Sequence, residues 1–351
     1  MSRMLFALSD VLNSEKKIEW PENADEEAIV GGIILNRLVG IAYDKIPFDK
    51  LNKENKKILT VLKSFYEEQY DKFMDKLHFL SKVLKDAEFD YALLKGAFLT
   101  PNLYKRGQRI SNDIDILVSA KDLSEIQNLL ISAGFVQGHC DETGCIVPAT
   151  RRDIVFSRLN HGETIPFLLY LNDELIEVDL NFSLDFKAVD SDENVLLMLK
   201  NAINYEFDNI KMKTLCHTYF LIHLCCHLFK EATTFEWLVH RRDLMLYKFC
   251  DIYMFIHEYG NNTFFESLAK EIKKYGVQKE CYYSFVRCAE IYPNIKSIPG
   301  FVDMLESIKP TSLEYLSEVI HPIEKKIYKF DLSFTEWFEC SNRIAKLKEK
   351  V

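Results

Sequence analysis

Residues 113–118 read Asp-Ile-Asp-Ile-Leu-Val, so two acidic residues alternate with apolar ones at the start of an apolar run. Side chains two residues apart on an extended strand point to the same face. The pattern therefore predicts a strand that carries Asp113 and Asp115 on one face and buries Ile114 and Ile116 on the other. Because two neighbouring carboxylates repel each other, a positive group is expected close to them.

The residues around this strand predict a mixed α/β region over residues 89–187. A short strand is predicted before Gly96, a short helix up to Gly107, and a second helix over residues 119–134, which ends at a glycine. Residues 136–149 are rich in Gly, Cys and polar residues and predict a loop. Alternating or apolar segments predict further strands over residues 153–159, 164–171 and 174–184.

Helical periodicity predicts α-helices on both sides of this region, over residues 1–88 and 188–351. In the first of these regions, apolar residues recur every three or four positions and predict one long amphipathic helix. The residues of that apolar stripe are Ile58, Leu62, Phe65, Tyr66, Tyr70, Phe73, Leu77 and Leu80. The sequence thus predicts an α+β fold, with a mixed β-sheet region set between an N-terminal and a C-terminal helical region.

The amino-acid composition limits the classes of protein to which the chain can belong. The chain has 351 residues, of which 48% are hydrophobic and 28% charged, as in ordinary globular proteins. Its formal net charge of −9 argues against a nucleic-acid partner. Nine scattered cysteines favour free thiols in the cytoplasm over a disulfide framework. No signal-like segment and no apolar run of about 18 residues is present, so we expect no membrane association.

Three acidic residues on predicted strands suggest a metal site. Asp113, Asp115 and Asp179 would present carboxylate oxygens from neighbouring strands, and Mg²⁺ prefers such ligands. Acidic residues at the solvent-facing ends of strands are the alternative for the Asp-x-Asp pair alone. Glu177 shares the predicted face of Asp179 and is the alternative third acid.

Cationic residues precede the acid pair. Gly96 joins a predicted strand to a predicted helix, where the chain can approach a ligand closely and the helix N-terminus favours phosphate. Lys95 stands directly before this turn, and Arg109 lies four residues before Asp113. The segment therefore combines a predicted anion site with a predicted cation site.

The segment from Tyr91 to Val118 resembles the signature of the nucleotidyltransferase superfamily that has a polymerase-β-like palm. It is more similar to a branch of uncharacterised bacterial nucleotidyltransferases, in which Lys-Gly replaces the usual Gly-Ser pair before Asp-x-Asp. The resemblance implies that Asp113, Asp115 and Asp179 bind Mg²⁺ or Mn²⁺ and are catalytic. It also implies that Lys95, Gly96, Arg109 and Ser111 bind the phosphates of a nucleoside triphosphate. The departure from the wider superfamily is the lack of a serine after Gly96.

The activity implied is transfer of a nucleoside monophosphate, with AMP from ATP as the expected donor, to a hydroxyl of a small molecule, peptide or protein. Two alternatives remain: a weakly active nucleotide- or partner-binding protein that keeps the palm, and a toxin-type enzyme that modifies tRNA. His223 and His227, four residues apart on a predicted helix, are further candidates for a site or a metal, although core histidines are more common in so apolar a helix.

Overall fold

The computed structural model describes residues 1–13, 16–161, 164–183 and 192–350. The predicted boundary between residues 187 and 188 lies outside these residues. The helices are α1 (Ser2–Ser9), α2 (Glu26–Leu35), α3 (Val39–Ala42), α4 (Lys53–Val83), α5 (Lys95–Leu103), α6 (Leu123–Ser132), α7 (Arg151–His161), α8 (Asp192–Lys200), α9 (His217–Ala232), α10 (Phe235–Val239), α11 (Leu246–Tyr259), α12 (Asn262–Tyr275), α13 (Gln278–Ile291), α14 (Phe301–Ser307) and α15 (Phe334–Glu339). The strands are β1 (Tyr91–Leu93), β2 (Ile114–Val118), β3 (Val136–Cys140), β4 (Ile146–Pro148), β5 (Phe167–Leu171), β6 (Glu174–Asn181), β7 (Ile203–Phe207), β8 (Ile210–Thr214), β9 (Glu318–His321), β10 (Lys326–Lys329) and β11 (Lys348–Glu349).

The chain divides into two compact units. The central unit comprises Glu67–Phe220, and the terminal unit comprises Met1–Tyr66 together with Leu221–Val351. The long helix α4 begins in the terminal unit and ends in the central unit. The strands β1 to β8 belong to the central unit, and the small sheet β11-β10-β9 belongs to the terminal unit.

The described part of the central unit is built on an eight-stranded mixed sheet of order β4-β3-β5-β6-β2-β1-β8-β7. Strand β2 runs parallel to β6 and antiparallel to β1, and β1 runs parallel to β8. The remaining neighbours pair antiparallel. A mixed sheet flanked by helices confirms the predicted α+β class.

The apolar face of this sheet forms the core of the central unit. Every second residue of β2 and β6 is apolar and fully buried, and these side chains cluster with apolar residues of α4 and α6. The cluster includes Ile114, Ile116, Ile176, Val178, Phe73, Leu77 and Ile126. Helices α5 and α8 also lie close to β2. The alternation predicted for residues 113–118 and 174–181 is therefore confirmed, and it directs the polar residues of these strands away from the apolar cluster.

The apolar stripe of α4 differs from the predicted one in its first half. Leu59 and Tyr66 are buried, whereas Ile58 and Phe65 are 37% and 46% exposed. Farther along, Phe73, Leu77 and Leu80 are buried as predicted. Ile58 and Leu59 are adjacent apolar residues, so spacing alone fits either stripe, and the packing partners decide which one faces inward.

Two predictions between β2 and β6 were wrong. Residues 136–149, predicted as a loop, contain the antiparallel strands β3 and β4. Residues 153–159, predicted as a strand, lie in helix α7. The helix begins with a capping box, because Thr150 Oγ1 accepts from the Asp153 amide at 3.3 Å and Asp153 Oδ2 accepts from the Thr150 amide at 3.2 Å.

The prediction that the chain is helical beyond residue 192 was also wrong in part. Strands β7 and β8 form a hairpin whose turn residues, Asp208 and Asn209, both have positive φ, and β8 pairs with β1. Near the C-terminus, β9, β10 and β11 form a second, antiparallel sheet. The intervening residues 217–307 are largely helical, as predicted. Among the described residues, no helix is both long enough and apolar enough to cross a bilayer.

Candidate functional site

The predicted acidic residues lie together at the β2–β6 boundary. In the parallel register of these strands, Asp115 is paired with Asp179, and Ile114 with Val178. Asp113 directly precedes β2, and Glu177 lies two residues before Asp179 on β6. Asp115 is only 4% exposed, whereas the other three are partly exposed. The topology therefore gathers carboxylates from two strands on one face of the sheet.

Two carboxyls of this group, those of Asp113 and Glu177, have raised pKa values. Burial and then the charge of Asp115 raise the pKa of Asp113, and Lys95 and Arg109 oppose this shift. Burial and then the charge of Asp113 raise the pKa of Glu177, and Lys76 of α4 opposes that shift. A raised carboxyl pKa means that the ionised form is disfavoured, so a cation placed here would be stabilised.

Lys95 supplies part of the missing positive charge. Its Nζ lies 2.7 Å from Asp115 Oδ1, and the side-chain amide of Asn181 donates to the same oxygen at 3.3 Å. Lys95 adopts φ = 42°, in the left-handed region, and the adjacent Leu94 amide donates to the Asp115 carbonyl at 2.9 Å. A left-handed non-glycine residue costs on the order of 1 kcal/mol, so surrounding contacts must hold it.

Asn181 was not among the predicted site residues. It is 8% exposed and lies on β6, two residues beyond Asp179. The signal was present in the sequence, because Glu177, Asp179 and Asn181 share one face of an alternating strand. An uncharged amide does not stand out among the acidic residues of the same strand face.

The turn at Gly96 is packed against the chain itself. A Cβ added to Gly96 would lie 2.8 Å from Ser111 Cβ and 2.8 Å from Arg109 Nη1, and closer still to Ser111 Oγ. The glycine is therefore required by the close approach of these two side chains. The sequence had suggested instead that Gly96 leaves room for a ligand.

Arg109 and Ser111 are joined beneath this turn by hydrogen bonds. Both residues are mostly buried, at 7% and 8% exposure. Arg109 Nη1 donates to Thr100 Oγ1 at 3.0 Å and also to Ser111 Oγ, and the two hydroxyls lie 3.0 Å apart. Thr100, fully buried on α5, was not predicted, and no sequence motif marks it. The network fixes the start of α5 relative to the residues before β2.

His223 and His227 form a separate cluster in the terminal unit. Their rings are nearly parallel, with centroids 6.2 Å apart on α9. His227 Nε2 lies 3.4 Å from Glu231 Oε1, and Glu231 also pairs with Lys248 of α11. The spacing predicted from the sequence thus places both imidazoles on one helix face, next to a mostly buried ion pair.

The acidic residues provide oxygen atoms of the kind that bind a divalent metal. Within the described ranges, no group of three or more His, Cys, Asp or Glu side chains is arranged to hold a metal ion. Mg²⁺, however, is usually held by one or two protein carboxylates, substrate phosphates and water. Asp113 and Asp115 offer the right donor atoms, and the raised pKa of Asp113 shows a carboxyl that a cation would stabilise. Asp113 and Asp115 therefore fit a Mg²⁺ ion, and Asp179 and Glu177 are further acidic residues close to this pair.

Known proteins resemble this chain only at low sequence identity. No curated protein matches the chain. Two solved structures are similar at low identity. An antigenic nucleotidyltransferase-like protein from Paracoccidioides brasiliensis has 14% identity and a TM-score of 0.36, over 70% of this chain and 92% of that one. The Megavirus polyadenylate synthase has 12% identity and a TM-score of 0.33, over 79% of this chain and 51% of that one.

A match to a family model covers most of the chain, including the central unit and the acidic residues. The model is described as "Uncharacterised nucleotidyltransferase", and it matches residues 22–293. This range holds β1, the turn at Gly96, β2 and β6 in their order along the chain. The chain therefore belongs to this family of uncharacterised nucleotidyltransferases.

Proposed function

We propose that the protein is a metal-dependent nucleotidyltransferase that moves a nucleoside monophosphate from a nucleoside triphosphate to a hydroxyl group. The acceptor would be a small molecule, peptide or protein, and ATP is the first donor to test. The observation that carries the proposal is the register of β2 and β6, which sets Asp115 beside Asp179 with Asp113 next to them. The family match supports nucleotidyl transfer in general.

In the proposed reaction, the acceptor oxygen forms a bond to the α-phosphorus while the bond from that phosphorus to the pyrophosphate oxygen breaks. The acceptor proton passes to a carboxylate, for which Asp179 is proposed and Glu177 is the alternative. Asp113 and Asp115 would hold Mg²⁺ or Mn²⁺, which when bound supplies positive charge to the phosphate oxygens. Pyrophosphate is the leaving group.

The phosphate side of the site is assigned to the turn at the start of α5. Lys95 is partly exposed, with 22% of its side chain accessible, so its ammonium can reach a ligand. Arg109 and Ser111 are mostly buried and would act from beneath the turn, where Arg109 adds positive potential and Ser111 supports the packing of Gly96. These four residues remain the proposed phosphate-binding set.

Pyrophosphate release tests this proposal. The purified protein would be incubated with Mg²⁺ and each of the four common nucleoside triphosphates, with water and its own hydroxyls as slow acceptors. We expect release with at least one nucleotide, and a loss on the order of 10²-fold or more in Asp113→Asn and Asp115→Asn. Asp75→Asn is the matched control, because Asp75 is an exposed residue of α4 in the same unit.

Two outcomes would contradict the proposal. One is the absence of pyrophosphate above the Asp113→Asn background with every nucleotide tested. The other is equal activity in the wild type, Asp113→Asn and Asp115→Asn. Circular dichroism spectra of each variant would show that a loss of activity is not a loss of fold.

A further inference from the structure

The ammonium of Lys95 occupies one side of the acid pair. Its 2.7 Å contact with Asp115 Oδ1 joins a side chain that is 22% exposed to one that is 5% exposed. Asn181 donates to the same oxygen. One oxygen of Asp115 is therefore already committed to two donors of this chain, and one of them carries a full positive charge.

The backbone helps to hold this contact. Lys95 has φ = 42°, and its neighbours are fixed by the Leu94–Asp115 backbone bond and by the tight packing of Gly96. A glycine would adopt this φ without strain, so a lysine here is retained at an energetic cost. This backbone cost indicates that the Lys95 side chain itself has a role, since a glycine would form the same turn without strain.

The charges on the acid pair set up a competition. A divalent cation bound by Asp113 and Asp115 would lie close to the Lys95 ammonium, and like charges at such distances repel each other. This repulsion is relieved if anionic phosphates bind together with the cation, because the phosphate oxygens can then accept hydrogen bonds from the Lys95 ammonium. The partial exposure of Lys95 leaves it a path toward such a ligand.

We propose that Lys95 is an internal counter-ion of Asp115 that prevents a free divalent cation from binding this carboxylate. When the cation binds together with a triphosphate, the Lys95 ammonium leaves Asp115 and pairs with the phosphates. This proposal rests on the proposed function, since it assumes that Asp113 and Asp115 hold the metal. It predicts that the metal binds weakly without nucleotide and tightly with it. Lys95 thereby becomes a residue that couples the binding of the two ligands.

Mn²⁺ binding, followed by electron paramagnetic resonance, tests the coupling without relying on turnover. The probe is Mn²⁺ alone or with a non-hydrolysable ATP analogue in which a methylene group replaces the α–β bridging oxygen. For the wild type, we expect the analogue to tighten Mn²⁺ binding at least about tenfold. For Lys95→Gly, we expect Mn²⁺ alone to bind about tenfold more tightly than to the wild type, and the analogue to add less than about threefold.

The variants separate this proposal from the proposed function. Lys95→Gly suits the left-handed backbone, and Lys95→Met removes the same charge if the glycine variant fails to fold. Lys105→Met is the matched control, because Lys105 is an exposed lysine just beyond α5 and its loss changes the net charge equally. Asp115→Asn should bind Mn²⁺ poorly with or without the analogue.

Two results would overturn the inference. If Lys95→Gly and Lys95→Met bind Mn²⁺ alone no more tightly than the wild type while Asp115→Asn loses binding, Lys95 is only a structural partner and the proposed function stands. If Asp115→Asn binds Mn²⁺ with the analogue as the wild type does, the metal assignment fails and both proposals fall.

Discussion

Replacing Gly96 with alanine tests the packing on which the candidate site depends. The added Cβ would lie 2.8 Å from both Ser111 Cβ and Arg109 Nη1, a separation that real Cβ atoms essentially never show. The guanidinium end can move, but Ser111 Cβ is fixed to the backbone. We therefore expect Ser111 to be displaced and its hydroxyl to lose its bonds with Thr100 and Arg109.

The magnitude follows from these contacts. Over-packing of this kind typically costs about 1–3 kcal/mol, and each lost hydrogen bond adds about 1 kcal/mol. The gain from replacing glycine by alanine in a helix is about 0.5–1 kcal/mol. We expect Gly96→Ala to lower the free energy of unfolding of the central unit by about 2–4.5 kcal/mol.

The assay is urea unfolding followed by far-UV circular dichroism. Tryptophan fluorescence would not report on this unit, because Trp20, Trp237 and Trp337 all belong to the terminal unit. Gly31→Ala is the matched control, since a Cβ at this exposed position of α2 would meet nothing within 4 Å. It should leave the protein as stable as the wild type or up to about 1 kcal/mol more stable.

A second substitution sharpens the test. Ser111→Gly removes the atoms of Ser111 that the new methyl would strike, so the double variant should recover at least about 1 kcal/mol relative to the sum of the single changes. The reasoning is refuted if Gly96→Ala unfolds at the same urea concentration as the wild type. It is also refuted if Ser111→Gly gives no recovery.

Three further predictions concern charge and packing. Burial raises the pKa of Asp113 above its ordinary value of 3.8, so the folded state binds more protons there and the free energy of unfolding falls as pH rises through that window. Asp113→Asn should therefore be more stable than the wild type at pH 7, and urea titrations should show the difference vanishing below about pH 3. Leu59→Ala should cost about 2–5 kcal/mol by thermal or urea unfolding, whereas Ile58→Ala should change stability by less than about 1 kcal/mol. Lys248→Met should cost about 3–5 kcal/mol because it leaves the mostly buried carboxylate of Glu231 without its lysine, and adding Glu231→Gln should restore most of that loss.

Local patterns in the sequence were sufficient to predict the polar face of the sheet. Alternation in β2 and β6 predicted which residues are buried, and the parallel pairing of these strands then brought Asp115 next to Asp179. The pairing itself could not be predicted, because it depends on contacts between residues more than 60 positions apart. The resemblance to nucleotidyltransferases led us to expect that Asp115 and Asp179 are close together. The pairing of β2 with β6 in the structure shows that they are.

Several elements were missed because their signals are short. The hairpin of β7 and β8 turns at Asp208-Asn209, two residues that tolerate positive φ. Helix α7 was mistaken for a strand because its apolar residues are β-branched and aromatic, while the Thr150–Asp153 capping box that starts it was not recognised. Each of these signals occupies four residues or fewer.

A positive group was expected beside the acid pair, but which residue supplies it, and which side chains pack against Gly96, could not be predicted from the sequence. The lysine was expected to bind phosphate, and in the structure it pairs with Asp115. The glycine was expected to open the turn to a ligand, and it makes room for Arg109 and Ser111. Both contacts join residues that are 13 to 20 positions apart and belong to different parts of the fold, and periodicity within one element gives no guidance about such contacts.

The central claim is that the protein transfers the α-phosphoryl group of a nucleotide with its nucleoside, and the fate of a labelled phosphorus tests it most directly. Wild-type protein would be incubated with Mg²⁺ and a nucleoside triphosphate labelled at either the α or the γ phosphorus, and all products would be separated. Nucleotidyl transfer predicts the α label on an acceptor hydroxyl or in the nucleoside monophosphate, and the γ label in pyrophosphate. The γ label in orthophosphate or on an acceptor, with the α label left in the nucleoside diphosphate, would contradict it.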